Sequence, residues 1–532
     1  MERGQEGLVV GVDVGTTSAR AGVHDARGRL LGRGQHPIRL HRPSPDHAEH
    51  GSADIWRAVG QAVRTALAAA AAPPRAVRGI SFDATCSLVV LDRDGQPVSV
   101  SATGEPGWDT IVWLDHRAVA EAEECTASRH RVLDFVGGVM SPEMQTPKLM
   151  WLKRNEPESW ARAGLFLDLA DFLTFRACGS TARSVCTLTC KWTYLAHETP
   201  GWQRDFFAAM GVADLLERGG LPATAAPIAT DLGPLLPEAA EALGLTTACR
   251  VGTGLIDAHA GALGVLGGLA QTEPEGLDRH LGLIAGTSTC HMVLSAEPRA
   301  VPGVWGPYLG AVLPGFWLNE GGQSATGALL DHVLALHAAG GTPDAALHAR
   351  VVARVDELRD AEGADFAAGL HVLPDFHGNR SPLADPHARG VISGLTLDRS
   401  FDGLCRLYYR TAVAIVLGTR HILDALNAKG HRIDTLHLTG GHVKNPLLVG
   451  LYADATGRRL VLPATEDAVL LGTAMVAAAA AGLHPDLPAA CAAMAPAGNE
   501  RLPDPAATAG FERDHRAFLL MHEQRRALDA VT

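Results

Sequence analysis

Apolar positions fall into short β-branched runs near the start and middle of the chain, with helix-spaced stretches between them. The first run, Leu8-Val9-Val10-Gly11-Val12-Asp13-Val14, reads as a buried strand that ends on a carboxylate. It breaks into Gly15-Thr16-Thr17-Ser18. Alternation from Arg20 to His24, the turn Asp25-Ala26-Arg27-Gly28 and the segment 29–34 complete a three-strand meander. Residues 54–71 carry an amphipathic helix, with Asp54 in its first turn and Pro73-Pro74 ending it. Strands are expected at 77–83 and 87–91, the latter closed by Asp92-Arg93-Asp94-Gly95. Strand, helix and strand in this order imply an α/β sheet with some antiparallel edge. Helical segments are expected around 116–127 and 147–154, and 200–250 reads as mostly helical with proline-rich connections.

Composition shifts at 270–280, which looks like a linker. The opening pattern then returns. The run 280–285 leads into Gly286-Thr287-Ser288-Thr289, followed by strands at 291–295 and 308–313. Two such meanders about half a chain apart form an internal repeat, so two domains share a plan and face each other. Further on, 435–439 is a strand ending in Gly440-Gly441, followed by Asn445-Pro446 and a helix to Thr456. A strand at 459–462 and a helix at 467–481 come next. Residues 500–511 look loose, and 512–529 reads as a surface helix. The expected divisions are 8–268, 279–485 and a C-terminal piece, 486–532.

The 532 residues exceed one ordinary core, which agrees with two domains. A net charge of −12 argues against a nucleic-acid partner. No apolar run is long enough for a bilayer, and the first residues lack a signal-peptide layout, so no membrane partner and a cytoplasmic location are expected. Nine cysteines include no CxxC pair. Cys186 and Cys190 have the spacing closest to a metal half-site, but no second half-site follows, so they read as reduced structural thiols. His47-Ala48-Glu49-His50 lies in a proline-rich loop and reads as loop polarity, with Glu49 a candidate for facing a ligand.

The chemistry begins at the first turn. Gly15 lets the backbone approach a ligand, and Thr16, Thr17 and Ser18 offer donors to an anion. Asp13 is positioned to hold a hydrated Mg²⁺ beside it. One such turn is equally an ordinary hairpin; its recurrence at Gly286-Thr287 favours a phosphate ligand shared by both. No GxxxxGK[ST] loop occurs, and Gly252-Thr253-Gly254-Leu255-Ile256-Asp257 spoils a dinucleotide fingerprint. Asp257 opens a helix, where it serves either as a cap or as a general base. Trp113-Leu114-Asp115-His116-Arg117 suits a sugar site, or else is a buried Trp beside a surface ion pair. Gly440-Gly441 suits a flat ring such as adenine, or a plain turn. Ser81-Phe82-Asp83-Ala84-Thr85-Cys86-Ser87, Glu320-Gly321-Gly322-Gln323-Ser324 and 376–382 offer further polar contacts.

In combination these stretches resemble the FGGY carbohydrate kinases of the sugar kinase/actin-like ATPase superfamily. The matching pieces are Gly11 to Ser18, Trp113 to Arg117, Gly254 to His259, Gly286 to Thr289 and Gly440-Gly441, in family order from residue 8 to about 480. Phe82 to Ser87, Glu320 to Gly327 and Phe376 to Pro382 are most similar to D-ribulokinase-type pentulose kinases. The resemblance implies an α/β fold of two ribonuclease-H-like domains flanking a deep cleft. It implies Asp257 as catalytic base and Asp13 as the carboxylate near Mg²⁺. Gly15, Thr16, Thr17, Gly286 and Thr287 would face the ATP phosphates, and Gly440, Gly441 and Asn445 the adenosine. Thr85, Cys86, Trp113, Asp115 and Arg117, with Asp257, would face the sugar. Where xylulose kinases carry a Met-His-Gly type turn this chain has Thr85-Cys86-Ser87, which counts against xylulose. The expected activity is phosphorylation of the terminal hydroxyl of a ketopentose, D-ribulose first, by ATP. L-Ribulose or ribitol kinases and a non-catalytic, actin-like nucleotide switch or sugar sensor are the alternatives. The expected partners are a small-molecule sugar and ATP, and a homodimer is left open.

Overall fold

The computed structural model describes residues 7–363 and 366–531. The first of its two large sheets is built from β1 (Leu8–Val14), β2 (Ser18–His24), β3 (Leu30–Pro37), β4 (Val77–Ala84), β5 (Asp231–Pro234), β6 (Arg250–Gly252) and β7 (Leu255–Ile256). Their order is β3-β2-β1-β4-β6-β5, and β7 pairs with the far end of β4. β1 is antiparallel to β2 and parallel to β4, in a register that sets Asp13 opposite Asp83. The helix α1 (Ser52–Ala69) packs Ile55, Ala58, Val59, Ala62, Val63 and Ala66 inward, as its 3.6-residue spacing requires.

The second sheet contains β8 (His280–Ala285), β9 (Thr289–Ser295), β10 (Trp305–Leu309), β11 (Trp317–Gln323), β12 (Thr435–Thr439), β13 (Arg459–Pro463) and β14 (Gly498–Arg501). It is ordered β10-β11-β9-β8-β12-β13-β14, with β12 parallel to β8 and β13 parallel to β12. Both sheets therefore place an antiparallel meander on one side of the first strand and parallel strands on the other. The repeat expected from the two glycine–hydroxyl turns is a repeat of topology.

Five expectations are corrected. The third meander strand of the second half is β11, while β10 lies outside it and ends at Leu309. The intervening Gly310 has a positive φ of 74°, which turns the chain out of the strand before 313. The strand Leu88–Leu91 belongs to a separate four-stranded sheet with 49–50, 110–111 and 165–168. Within 200–250 the helices are short (204–209, 215–218 and 237–243), and β5 lies among them. The stretch 500–511 is ordered: β14 covers the sheet edge, and a helix runs from Pro505 to Asp529 with Asp504 capping it. The 270–280 stretch contains a helical turn and a 3-10 turn in which Leu277 and Asp278 are buried.

The halves meet where α2 (Val185–Lys191) and α3 (Asp257–Leu266) approach the second sheet, and where α3 crosses α4 (Ala468–Ala480). Gly264 lies against the Ala468 carbonyl and Gly472 against the Ala260 carbonyl, so a Cβ at either would strike the other helix's backbone. This close crossing brings the N-terminus of α3 to the ends of β1 and β4. No helix among the described residues is long and apolar enough to cross a membrane.

Candidate active site

Three carboxylates converge at the C-terminal ends of adjacent parallel strands. Asp13 and Asp83 each lie one residue before the ends of β1 and β4, and Asp257 follows β7 directly. Asp13 and Asp83 are buried, while Asp257 retains partial exposure between buried Ile256 and Ala258. Burial and then the Asp13 charge raise Asp257 to about 6. Burial and the neighbouring Asp13 raise Asp83 well above the ordinary carboxylate range. Burial also raises Asp13, opposed by the guanidinium of Arg20. Arg20 pairs with Asp13 and donates to Asp467 at 2.7 Å. The Thr473 hydroxyl on α4 donates to Asp83.

Asp257 is the first residue of α3, not its N-cap; the cap position is Ile256, whose side chain makes no capping bond. Its Oδ1 accepts from the Ala258 amide at 2.7 Å. That leaves the carboxylate available to a ligand, which favours the base over the cap.

Each hydroxyl turn joins the first two strands of its sheet. The Gly15 amide donates to the Ser18 carbonyl at 3.0 Å, and the Gly286 amide to the Ser288 carbonyl at 2.8 Å. Thr17 and Thr287 are exposed at the two tips. Trp113 donates its indole N–H to the Thr16 hydroxyl at 2.9 Å, leaving that hydroxyl's own proton for a ligand. Gly440 and Gly441 border the second turn: a Cβ on Gly440 would meet the Ala285 carbonyl, and His442 Nε2 lies 3.0 Å from the Gly286 carbonyl. Gly440 adopts φ 89°, available to few other residues.

A second polar group lies beside Asp257. Lys191 ends α2, fully buried, with its ammonium 3.9 Å from the Trp305 ring centroid. Burial disfavours that ammonium, but Cys86, Cys190 and Glu320 raise it above the ordinary lysine value. His259 Nε2 lies 3.0 Å from Glu320 Oε2. Burial would raise Glu320, yet the bond to His259 and the charge of Lys191 hold it at about 2. Arg380 donates to Glu143 at 3.0 Å and lies 5.9 Å from the Trp113 ring centroid.

The N-terminal domain of the FGGY family of carbohydrate kinases matches residues 8–264, and its C-terminal domain matches residues 281–481. The chain belongs to the FGGY carbohydrate kinases. An FGGY carbohydrate kinase domain-containing protein of Danio rerio is 45% identical over 97% of both chains. A D-ribulokinase of Saccharomyces cerevisiae is 38% identical over 88% of this chain and 71% of its own. The xylulose kinase of Rhodospirillum rubrum superposes with a TM-score of 0.77 at 25% identity, covering 98% of this chain and 99% of that one. The protein is thus a sugar kinase with the two-domain actin-like ATPase fold, and its substrates are a sugar and ATP.

In this FGGY kinase the expected site residues fall at several places. Asp13, Thr16, Trp113 and Asp257 come together around the carboxylate cluster, and Gly286, Thr287, Gly440 and Gly441 around the second turn. Thr85 and Cys86 are buried beside them; the Thr85 hydroxyl is 3.1 Å from Ser87 Oγ, which accepts from the Trp113 amide. They shape the Trp113 wall from behind. Asn445 is committed elsewhere: its carboxamide oxygen accepts from the Leu447 amide at 3.1 Å as a helix cap, and its Nδ2 donates to Tyr408. It steadies the turn after Gly441.

Asp115 and Arg117 are corrected most strongly. Arg117 donates to Asp115 through Nε and Nη2, each at 2.8 Å, to Glu49 at 2.8 Å and to the Val100 carbonyl at 2.9 Å. The three side chains have no solvent exposure. Asp115 also accepts from the Ala48 amide at 2.6 Å. This is a buried structural ion triad enclosed away from solvent, and Glu49 faces Arg117. Lys191 went unrecognised in the sequence, because only strand register and helix crossing bring it to Asp257; His259 and Arg380 fell within stretches singled out there without a role of their own.

Proposed function

We propose that this kinase transfers the γ-phosphoryl group of ATP to the terminal hydroxyl of a ketopentose, converting D-ribulose to D-ribulose 5-phosphate. The observation that carries the reading is Asp257: a partly accessible carboxylate between the first phosphate turn and the Lys191–Glu320 pair. Asp257 accepts the hydroxyl proton as the sugar oxygen bonds to the γ-phosphorus and the bond to ADP breaks. Thr16, Thr17, Gly286 and Thr287 hold phosphate oxygens, and Gly440 and Gly441 flank the adenosine. Lys191 and Glu320 present opposite charges to the sugar hydroxyls, and Trp113 walls the pocket.

The residues present fit Mg²⁺. Asp13 and Asp83 are hard oxygen donors side by side, and the charge of Asp13 raises Asp83, a repulsion that a cation relieves. Bound there, Mg²⁺ would be held by Asp13 and would neutralise phosphate charge. The residues 8–268 supply the base, the first turn and the sugar contacts Lys191 and Trp113, and 279–485 the second turn, the adenosine contacts and Glu320.

The 38% identity to a yeast D-ribulokinase supports the sugar assignment. L-Ribulose and ribitol are the competing acceptors. A sugar-independent nucleotide switch is disfavoured by the accessible Asp257. A coupled ADP-release screen across ketopentoses, aldoses and polyols tests the reading. D-Ribulose should give the highest kcat/KM; ADP release independent of any sugar would overturn it.

A further inference from the structure

Between α2, α3 and β11 lies a cluster of which the proposed phosphoryl transfer uses only Glu320. Cys190 Sγ, His259 Nε2 and Glu320 Oε2 are buried and lie within 4.8 Å of one another. Sulfur to nitrogen is 3.8 Å, sulfur to oxygen 3.5 Å, and nitrogen to oxygen 3.0 Å. A tetrahedral zinc ion, with thiolate at about 2.3 Å and nitrogen and oxygen at about 2.0–2.1 Å, sets edges of roughly 3.3–3.6 Å between such atoms. The three atoms already approximate one face of that tetrahedron.

The imidazole is oriented for it. His259 Nδ1 lies 3.1 Å from Cys186 Sγ, and that sulfur also accepts from the Ile256 amide at 3.4 Å. This contact aims Nε2 at Cys190 and Glu320, in the way metal-binding histidines are steadied through their other nitrogen. The Cys-Thr-Leu-Thr-Cys spacing has no second half-site along the sequence; folding supplies one from α3 and β11.

We propose that Cys190, His259 and Glu320 form a binding site for a thiophilic divalent cation, Zn²⁺, whose occupation blocks the sugar pocket. Coordinate bonds form to Sγ, Nε2 and Oε2, with water in the fourth position. The thiol proton of Cys190 and the Nε2 proton of His259 pass to solvent, and no electron is transferred. Zinc with one thiolate, one carboxylate and a neutral imidazole is neutral overall, so it adds no net charge beside Lys191. Magnesium prefers hard oxygen ligands, and the Mg²⁺ of ATP does not compete for a thiolate. Inhibition by this route rests on the proposed function, because it withdraws Glu320 from the sugar; metal binding does not.

The test uses the full chain with Co²⁺ as a spectroscopic probe and Zn²⁺ in kinase assays at saturating Mg-ATP. Wild type should show a thiolate-to-cobalt charge-transfer band and the visible bands of tetrahedral cobalt. Zn²⁺ should raise the sugar KM and be reversed by a chelator selective for zinc over magnesium. Cys190→Ser should abolish both the bands and the inhibition while keeping the uninhibited rate; Cys190→Ala serves if the serine variant melts early. Cys186→Ser should keep the bands but weaken cobalt affinity by about 10–100-fold. Absence of a thiolate band in folded wild type, or its persistence in Cys190→Ser, overturns the site. Cobalt bands in a protein that phosphorylates no sugar would sustain the metal site and overturn the proposed activity.

Discussion

The hydroxyl of Thr473 donates to the carboxyl of Asp83, joining residues 390 positions apart in the chain. It reaches across from α4, whose neighbour Gly472 lies against the α3 backbone. One hydrogen bond thus couples the helix crossing to the carboxylate cluster that contains Asp13 and Asp257. Thr473→Val keeps the shape and removes the donor. Leaving a buried carboxyl unsatisfied costs about 1–3 kcal/mol. The expected result is a lower melting temperature together with a reduced kcat, both restored in Thr473→Ser. Unchanged melting and turnover in the valine variant would remove Thr473 from the coupling.

Arg117 gives a contrasting expectation. A sugar-binding arginine, when replaced, raises the sugar KM in a stable protein. The closed triad with Asp115 and Glu49 predicts instability instead. Arg117→Met leaves two carboxylates in a site with no exposure, and removing one partner of a buried ion pair costs about 3–5 kcal/mol. Urea denaturation should show most of that loss, with little change in KM for the protein that remains folded.

The contrast shows which features were legible along the chain. Asp13, Thr16, Gly286 and Gly440 were legible because a strand running into a glycine–hydroxyl turn is a local pattern. Asp257 was legible as a candidate, but its position as first helical residue, with the cap at Ile256, is set by the fold. Asp115 and Arg117 were misread because their third partner, Glu49, lies 68 positions before Arg117 and is hidden in what reads as a polar loop. The Lys191, His259 and Glu320 group depends on how α2, α3 and β11 meet, which no spacing encodes. β11 was not expected because Glu320-Gly321-Gly322-Gln323 stands out along the chain as polar contacts, although its residues 318–322 are buried between β9 and β10.

His437 supplies a test of pH dependence remote from the chemistry. It lies on β12 with Nε2 2.9 Å from Nδ1 of His280. Burial, then the charges of His280 and Arg459, lower its pKa from 6.5 to about 3. Between those values the unfolded chain binds a proton that the folded chain refuses. Stability therefore falls as pH drops through 6.5, and the loss stops growing near pH 3. One unit below the unfolded value the contribution is about 1.4 kcal/mol. Urea denaturation of wild type and His437→Gln, compared above and below that value, should show the wild type losing about that much more on acidification. Parallel losses in both proteins would assign the acid sensitivity elsewhere.

Asp257 carries the proposed mechanism, and Asp257→Asn isolates its proton. Asparagine keeps the size and the ability to accept from the Ala258 amide, so the start of α3 is retained. It also removes one negative charge from a crowd of carboxylates, so the variant should be at least as stable as wild type. Loss of a general base costs about 10²–10⁴ in rate. The variant should therefore bind Mg-ATP and sugar near normally, melt no lower than wild type, and turn over about 10²–10⁴-fold more slowly. Melting curves, ligand titrations and steady-state rates from one preparation separate the outcomes. A kcat within about twofold of wild type, in protein free of wild-type contamination, would remove Asp257 as the base, since general-base loss costs far more than that.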